Sequence, residues 1–269
     1  RIVPQILRFA MPVLLGLVFQ RIYNFADSYI VGHFLGDNAL AAVSVAGVGM
    51  YLVFSLIIGL TTGITVVMSQ YYGAKEEDKV VKTFFSSIFI ALGMTILVTV
   101  IGLLTTRPLL IVLQTPAEVL DAAVLYLRII CAGSVGTMLY NWISAVLRSL
   151  GNSVVPLIFL GISSLLNIVF DILFVAVIPL GVGGAAFATV LAQVISGVAC
   201  LLYAWKILPM LRIRRDKLKL DTYIGKQMLV YGLPAALQMS IISISDMTLQ
   251  AVVNTYGTTL VVAYGVCIK

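Results

Sequence analysis

Asp27, Asn167, Asp171 and Thr189 are oxygen-bearing side chains set inside long apolar runs, where polar groups are costly. An ionised side chain at the centre of a bilayer costs roughly 2.5–3.5 kcal/mol on insertion scales. Asp27 follows Pro12 by fifteen residues, and a proline inside a helix removes a backbone hydrogen bond and kinks the axis. Asn167 and Asp171 are spaced i, i+4, so on a helix they share one face. Tyr126 and Asn141 add a phenol and an amide from another run. Such a set can hold a small hard cation through oxygen ligands. It can equally take up and release a proton, because two close buried acids do not both stay ionised without a counter-charge. The competing reading is structural: Asp171 pairs with a buried base or bonds between helices. For Tyr126, Asn141 and Thr189, residue chemistry alone favours ordinary interhelical hydrogen bonding. Arg21 and Arg128 read as snorkelling or paired structural residues, and His33, at the end of the first run, takes no role.

The elements that must position these groups are transmembrane helices. Of 269 residues, 61% are hydrophobic and 10% charged, with mean hydropathy +1.10, against about 25% charged in soluble domains. The composition excludes a soluble globular enzyme, a secreted disulfide scaffold and a disordered chain. Continuous apolar runs without period-two alternation exclude a β-barrel. Seven spans are predicted, at 6–32, 40–71, 84–104, 119–144, 154–178, 184–206 and 228–254. Gly36-Asp37-Asn38, the 73–82 loop, Thr105 to Pro108 with Thr115-Pro116, Gly151-Asn152-Ser153 and 179–184 punctuate them. Cys131, Cys200 and Cys267 lie in apolar stretches without metal or redox spacing.

The net charge of +6 is distributed by side. Arg1, Arg8, the lysines at 75, 79 and 82, Arg148 and the cluster from Lys206 to Lys226 fall on one face, while Arg107 alone marks loops on the other. The positive-inside rule makes the N-terminus cytoplasmic in a multi-pass protein of the cell membrane. Basic residues in loops, with no aromatic-plus-basic patch, exclude nucleic acid as a partner. The 206–226 segment is predicted to be an amphipathic connector on the inner surface against anionic lipid, or simply a topology signal.

Two segments repeat. Pro12, Asp27 and Gly36 find counterparts in Pro234, Asp246 and Gly257 at an offset of about 220 residues. Six spans lie within one period, so the second copy enters the membrane in the same direction as the first, a parallel repeat. The fold class is therefore an all-α polytopic membrane protein: a six-helix N-lobe bundle, plus helix seven and the entry to helix eight of a second lobe. The domains are predicted as 1–206, the first lobe; 207–227, the basic connector; and 228–269, the start of the second lobe. Helix seven is expected to splay away from the first bundle. The start at Arg1 and the period imply a longer protein, near 440 residues.

The segments ADSYIVGHFLGDNALAAVS, GAKEED, AVLRSLGNS, LNIVFDILF and PLGVGGAAFATVLAQ, in this order and spacing, resemble the MATE (multidrug and toxic compound extrusion) transporters of prokaryotes. The resemblance runs over the whole chain. It implies two six-helix bundles around a central cavity, a monomer when full length, and exchange of Na⁺ or H⁺ for organic, often cationic, drug-like compounds. It implies no other cofactor and no enzymatic activity. It places a cation-coupling site, able to hold Na⁺, at Asp27, Asn167, Asp171 and Thr189. Tyr126 and Asn141 join the same polar network, and the helix-one bend falls at Pro12. No role is carried onto Asp246. A flippase for lipid-linked sugars, of the same superfamily, is the alternative, and the acidic interior argues against it. An intramembrane enzyme lacks a His-plus-carboxylate or nucleophile–base cluster, and a channel does not fit discrete lobes.

Overall fold

The computed structural model describes residues 2–208 and 219–268, and among them every regular element is helical. In chain order these are α1 (Ile2–Leu35), α2 (Asp37–Gly73), α3 (Glu77–Val112), α4 (Ala117–Ala132), α5 (Ser134–Ser149), α6 (Val154–Asp171), α7 (Gly181–Ile207), α8 (Thr222–Asn254) and α9 (Thr258–Ile268). A π-helical segment, Ile172–Val177, continues α6. Six helices are individually long and apolar enough to cross a membrane, and α4 with α5 supply a seventh span bent by 49°. Seven spans are the number read from the apolar runs. The bend falls at Gly133, where any Cβ would overlap the Val190 side chain of α7.

The third span is longer than the sequence predicts. Its turn is expected to begin at Thr105, yet α3 runs through Pro108 to Val112. The hydroxyls of Thr105 and Thr106 donate to the carbonyls of Ile101 and Gly102, at 2.7 and 2.5 Å. Pro108 removes only the N–H that would have reached the Leu104 carbonyl, and a membrane helix tolerates one such loss. The turn is instead confined to residues 113–116, with Gln114 at φ 51°.

α2 is the central helix, contacting α3, α4, α5 and α8. Two buried clusters flank it. One lies at the end bearing the α1–α2 and α3–α4 turns and includes Val31, Ala42, Val119 and Leu127. The other lies toward the α2–α3 turn and includes Leu60, Phe84, Phe85 and Ile143, with the Trp142 indole N–H donating to Ser87 Oγ at 2.8 Å. Large apolar side chains such as Ile96, Leu104 and Leu165 remain exposed on the outer faces. That pattern suits lipid as the solvent, since lipid gives no reason to bury them.

The seventh span, α8, does not splay away. It lies along α2 and the edge of α3, outside the set formed by α4 to α7. Gly59 and Gly63 of α2 face Ala236, Gly232 and Met228 of α8 so closely that a Cβ at either glycine would overlap backbone. Ser55 and Ser240 share a hydrogen bond of 2.8 Å across the same seam. Without a hydrophobic drive between helices in lipid, close backbone approach is what holds them. Asp221 caps α8, accepting from the backbone N–H of Tyr223 and Ile224 at 3.1 Å each. Its own N–H donates to Ser86 Oγ at 2.9 Å, which ties the α8 entry to α3.

The same end holds Lys82, Lys219 and Asp221 around one cavity, while Arg107 pairs with Asp121 at 3.3 Å at the opposite end. Residues 209–218 of the expected basic connector lie outside the described residues.

Candidate functional site

Three helices bring the central residues together. Asp27 sits in the second half of α1, Asn167 and Asp171 are one turn apart at the end of α6, and Thr189 faces them from α7. Asp27, Asn167 and Asp171 are 7%, 3% and 0% exposed. The Asn167 amide Nδ2 donates to Thr189 Oγ1 at 3.2 Å, and Thr189 Oγ1 donates to its own helix at Ala185 O, also 3.2 Å. Asp171 lies within reach of Asp27, the acid it interacts with most strongly. Tyr126, buried on α4, lies near Asp27, Asp171 and Thr189.

The hydrogen-bond inventory of this cluster leaves oxygen atoms over. No backbone N–H or neutral side chain donates to either carboxylate oxygen of Asp171, which has the acid Asp27 as its neighbour, and Asn167 Oδ1 has no donor either. Buried polar groups are nearly always satisfied, so such atoms mark a strained or ligand-binding point. The oxygens left over suit a hard monovalent cation or a shared proton. Among the described residues no group of three or more His, Cys, Asp or Glu side chains is placed to hold a metal ion.

Asn141 is positioned differently. Its Nδ2 donates to Thr137 O at 2.8 Å, and it lines an adjoining cavity with Gln20, Tyr23, Asn24 and Arg148. Pro12 lies inside the uninterrupted α1 and lines the same cavity. Tyr23 and Gln193 border both this cavity and a small void beside Asn167 and Thr189, so they join the two. Reading the polar residues along the sequence misses Tyr23 and Gln193. A signal for them is present: each is four residues from a named site residue, Tyr23 from Asp27 and Gln193 from Thr189, and so on the same helix face. Arg21, Arg128, His33 and Asp246 are all exposed. Asp121, a possible partner for Arg128, pairs with Arg107 instead. His33 stacks on Tyr29 at 5.8 Å and meets Phe34 edge-on.

Known proteins resemble this chain in sequence and in fold. A probable multidrug resistance protein, YpnP, of Bacillus subtilis is 34% identical over 267 residues, covering 98% of this chain and 59% of its own length. The chain thus spans about three fifths of the length of the curated relatives it matches. A structure described as the inward-facing conformation of a multidrug resistance MATE family transporter of the MOP superfamily superposes with TM-score 0.85 at 26% identity. It covers 97% of this chain and 60% of that one. An outward-facing counterpart gives 0.84 at 24%, covering 97% and 62%, a likeness of fold. The MatE family model matches residues 12–173, more than half of the sequence, and the chain belongs to the MatE family.

Proposed function

We propose that this chain supplies the first lobe, the connector and the start of the second lobe of a secondary active exporter. It would exchange H⁺ or Na⁺ for drug-like amphipathic organic compounds. Residues 1–206 form the cation-binding lobe, 207–227 the inner-surface connector, and 228–269 open the second lobe. The observation that carries this reading is Asp171: fully buried, facing Asp27, with no backbone N–H or neutral side chain donating to either oxygen. An acid so placed is stable only when it holds a proton or shares a cation. Asp27, Asn167 and Thr189 are the groups that complete the ligand set, with Tyr126 near them. Asn141 and Pro12 act on the neighbouring cavity and on the bend of α1.

Alternating access then follows from neutralisation. A cation in the cluster removes the repulsion between the two acids and favours one packing of α1 against α6 and α7. Release of the cation favours the other packing, and a ligand shifts such an equilibrium only by its differential affinity for the two states. Relatives described in inward-facing and outward-facing forms support this scheme. The acid pair favours cargo with a cationic group. The basic residues at the α2–α3 and α7–α8 connections put the N-terminus in the cytoplasm of a cell-membrane protein that works as a monomer among lipid.

The test is efflux by the full-length protein in vesicles under an imposed Na⁺ or H⁺ gradient. Asp171→Asn removes an expensive charge with little change in volume, so it is expected to fold and to lose cation-driven export. Wild-type export with unchanged cation dependence in that variant would make Asp171 structural and end this reading.

A further inference from the structure

The cavity enclosed by α1, α2, α5, α6 and α7 has a volume of about 200 Å³. Val13, Leu17, Phe54 and Leu157 give it an apolar wall, and Gln20 and Asn24 add amides. Neither Asp27 nor Asp171 lines it. Its charged lining residue is Arg148, in the last turn of α5. A basic residue that only fixes topology needs nothing but water, as the exposed Lys75 and Lys82 show. Arg148 is instead half-buried between cavity walls, with fully or nearly fully buried Leu147 and Ser149 on either side.

Among the described residues the guanidinium has no partner inside the protein. The ion pairs there are Lys79 with Glu76 and Arg107 with Asp121, and Arg148 makes no hydrogen bond to a neighbour. Tyr140, beside it, gives its hydroxyl proton to Pro156 O at 2.9 Å. An arginine presents five donors in a planar fork that matches a carboxylate or phosphate with two parallel bonds. Half-buried and unpaired, Arg148 keeps those donors open to whatever fills the cavity. The cavity therefore offers fixed positive charge at one end, neutral amides along one side and an apolar wall along the rest.

We propose that this cavity is a subsite for the anionic head group, carboxylate or phosphate, of an amphipathic molecule whose apolar body lies along the α1–α6 wall. The proposal rests on the exporter reading only for the fate of what binds. In that reading it narrows the cargo to amphiphiles that carry an acidic group beside the cationic one that the acid pair favours. The head group has two sources, an exported amphiphile or a membrane lipid.

The full-length protein, purified in neutral detergent, is titrated with 11-(dansylamino)undecanoic acid and with its methyl ester, and binding is read by dansyl fluorescence. The two probes share a body and differ in one charge. The acid is expected to bind wild type at least about tenfold more tightly than the ester. Arg148→Gln is expected to abolish that preference. Arg148→Lys keeps the charge and loses the fork, and is expected to retain part of it. Nanodiscs of phosphatidylcholine, with and without phosphatidylglycerol, separate the sources. Competition by phosphatidylglycerol assigns the subsite to lipid, and unchanged binding assigns it to the amphiphile. Equal affinity of acid and ester for wild type overturns the proposal. So does an acid preference that survives Arg148→Gln or, where that variant does not fold, is undiminished in Arg148→Lys. Because binding is measured at equilibrium without a gradient, failure of export leaves this result legible.

Discussion

Gly63→Ala tests whether α2 and α8 are held together by backbone contact. A Cβ on residue 63 would stand 2.6 Å from Gly232 N and 2.7 Å from Gly232 Cα, with Met228 O closer still, where ordinary contact begins at 3.4 Å. None of these is the movable tip of a side chain, so the helices must part by about 1 Å. A gap of that size forfeits roughly a quarter to a half of each dispersion contact along the seam. Overpacking of this kind costs about 1–3 kcal/mol. Alanine's better helix propensity returns about 0.5–1 kcal/mol, leaving a net loss of about 1–2 kcal/mol. The matched control is Gly93→Ala on α3, where a Cβ meets nothing within 4 Å and the propensity gain stands alone. Equilibrium unfolding of both variants in mixed micelles by titration with dodecyl sulfate gives the difference directly. Gly63→Ala unfolding at lower, and Gly93→Ala at equal or higher, detergent fraction than wild type is the expected order. If Gly63→Ala is as stable as Gly93→Ala, the α2–α8 contact does not exist as described.

Cysteines placed at Ser55 and Ser240, whose hydroxyl oxygens are 2.8 Å apart, are expected to form a disulfide on mild oxidation in a background without native cysteines, visible as a mobility shift on non-reducing gels. Trp142→Phe removes the donor to Ser87 Oγ, whose own hydroxyl still donates to Phe84 O, so unfolding should shift by about the net worth of one hydrogen bond, roughly 0.5–1.5 kcal/mol, in the same titration. Lys79→Cys and Arg107→Cys should label with a membrane-impermeant thiol reagent from opposite sides of sealed vesicles, and labelling from one side would overturn the orientation.

The apolar runs make the spans legible, because a helix that crosses lipid must bury its backbone polar groups within itself. The i, i+4 spacing of Asn167 and Asp171 likewise puts them on one face, since helical pitch alone dictates it. What hydropathy does not encode is which helix lies beside which. The docking of α8 on α2 depends on two glycines meeting Gly232 and Ala236 across a gap in sequence of about 170 residues, and nothing local announces it. The bend at Gly133 is hidden because glycine, and the small Ser134 that follows it, are both ordinary in membrane helices. Pro108 misleads in the opposite direction, since a membrane helix can lose the one backbone bond a proline removes and still continue. Arg148 reads as one more basic residue near a loop. Only the walls around it distinguish it from Lys75 or Lys82.

The π-helical segment after Asp171 amounts to a residue inserted into the helical register. Each α-helical residue advances about 100° around the axis, so an extra one turns everything downstream by that angle relative to Asn167 and Asp171. In this chain the turn absorbs the slip before α7 begins: Ile178 N–H reaches back to Leu173 O and Leu180 N–H to Phe174 O, both at 2.8 Å. The acid face of α6 and the phase in which the chain enters α7 are thereby decoupled. Removing one residue between 172 and 177 would therefore be taken up in that turn, leaving Asn167, Asp171 and, beyond it, Thr189 on the faces they now present, a slip in phase that the joint between the helices is built to tolerate.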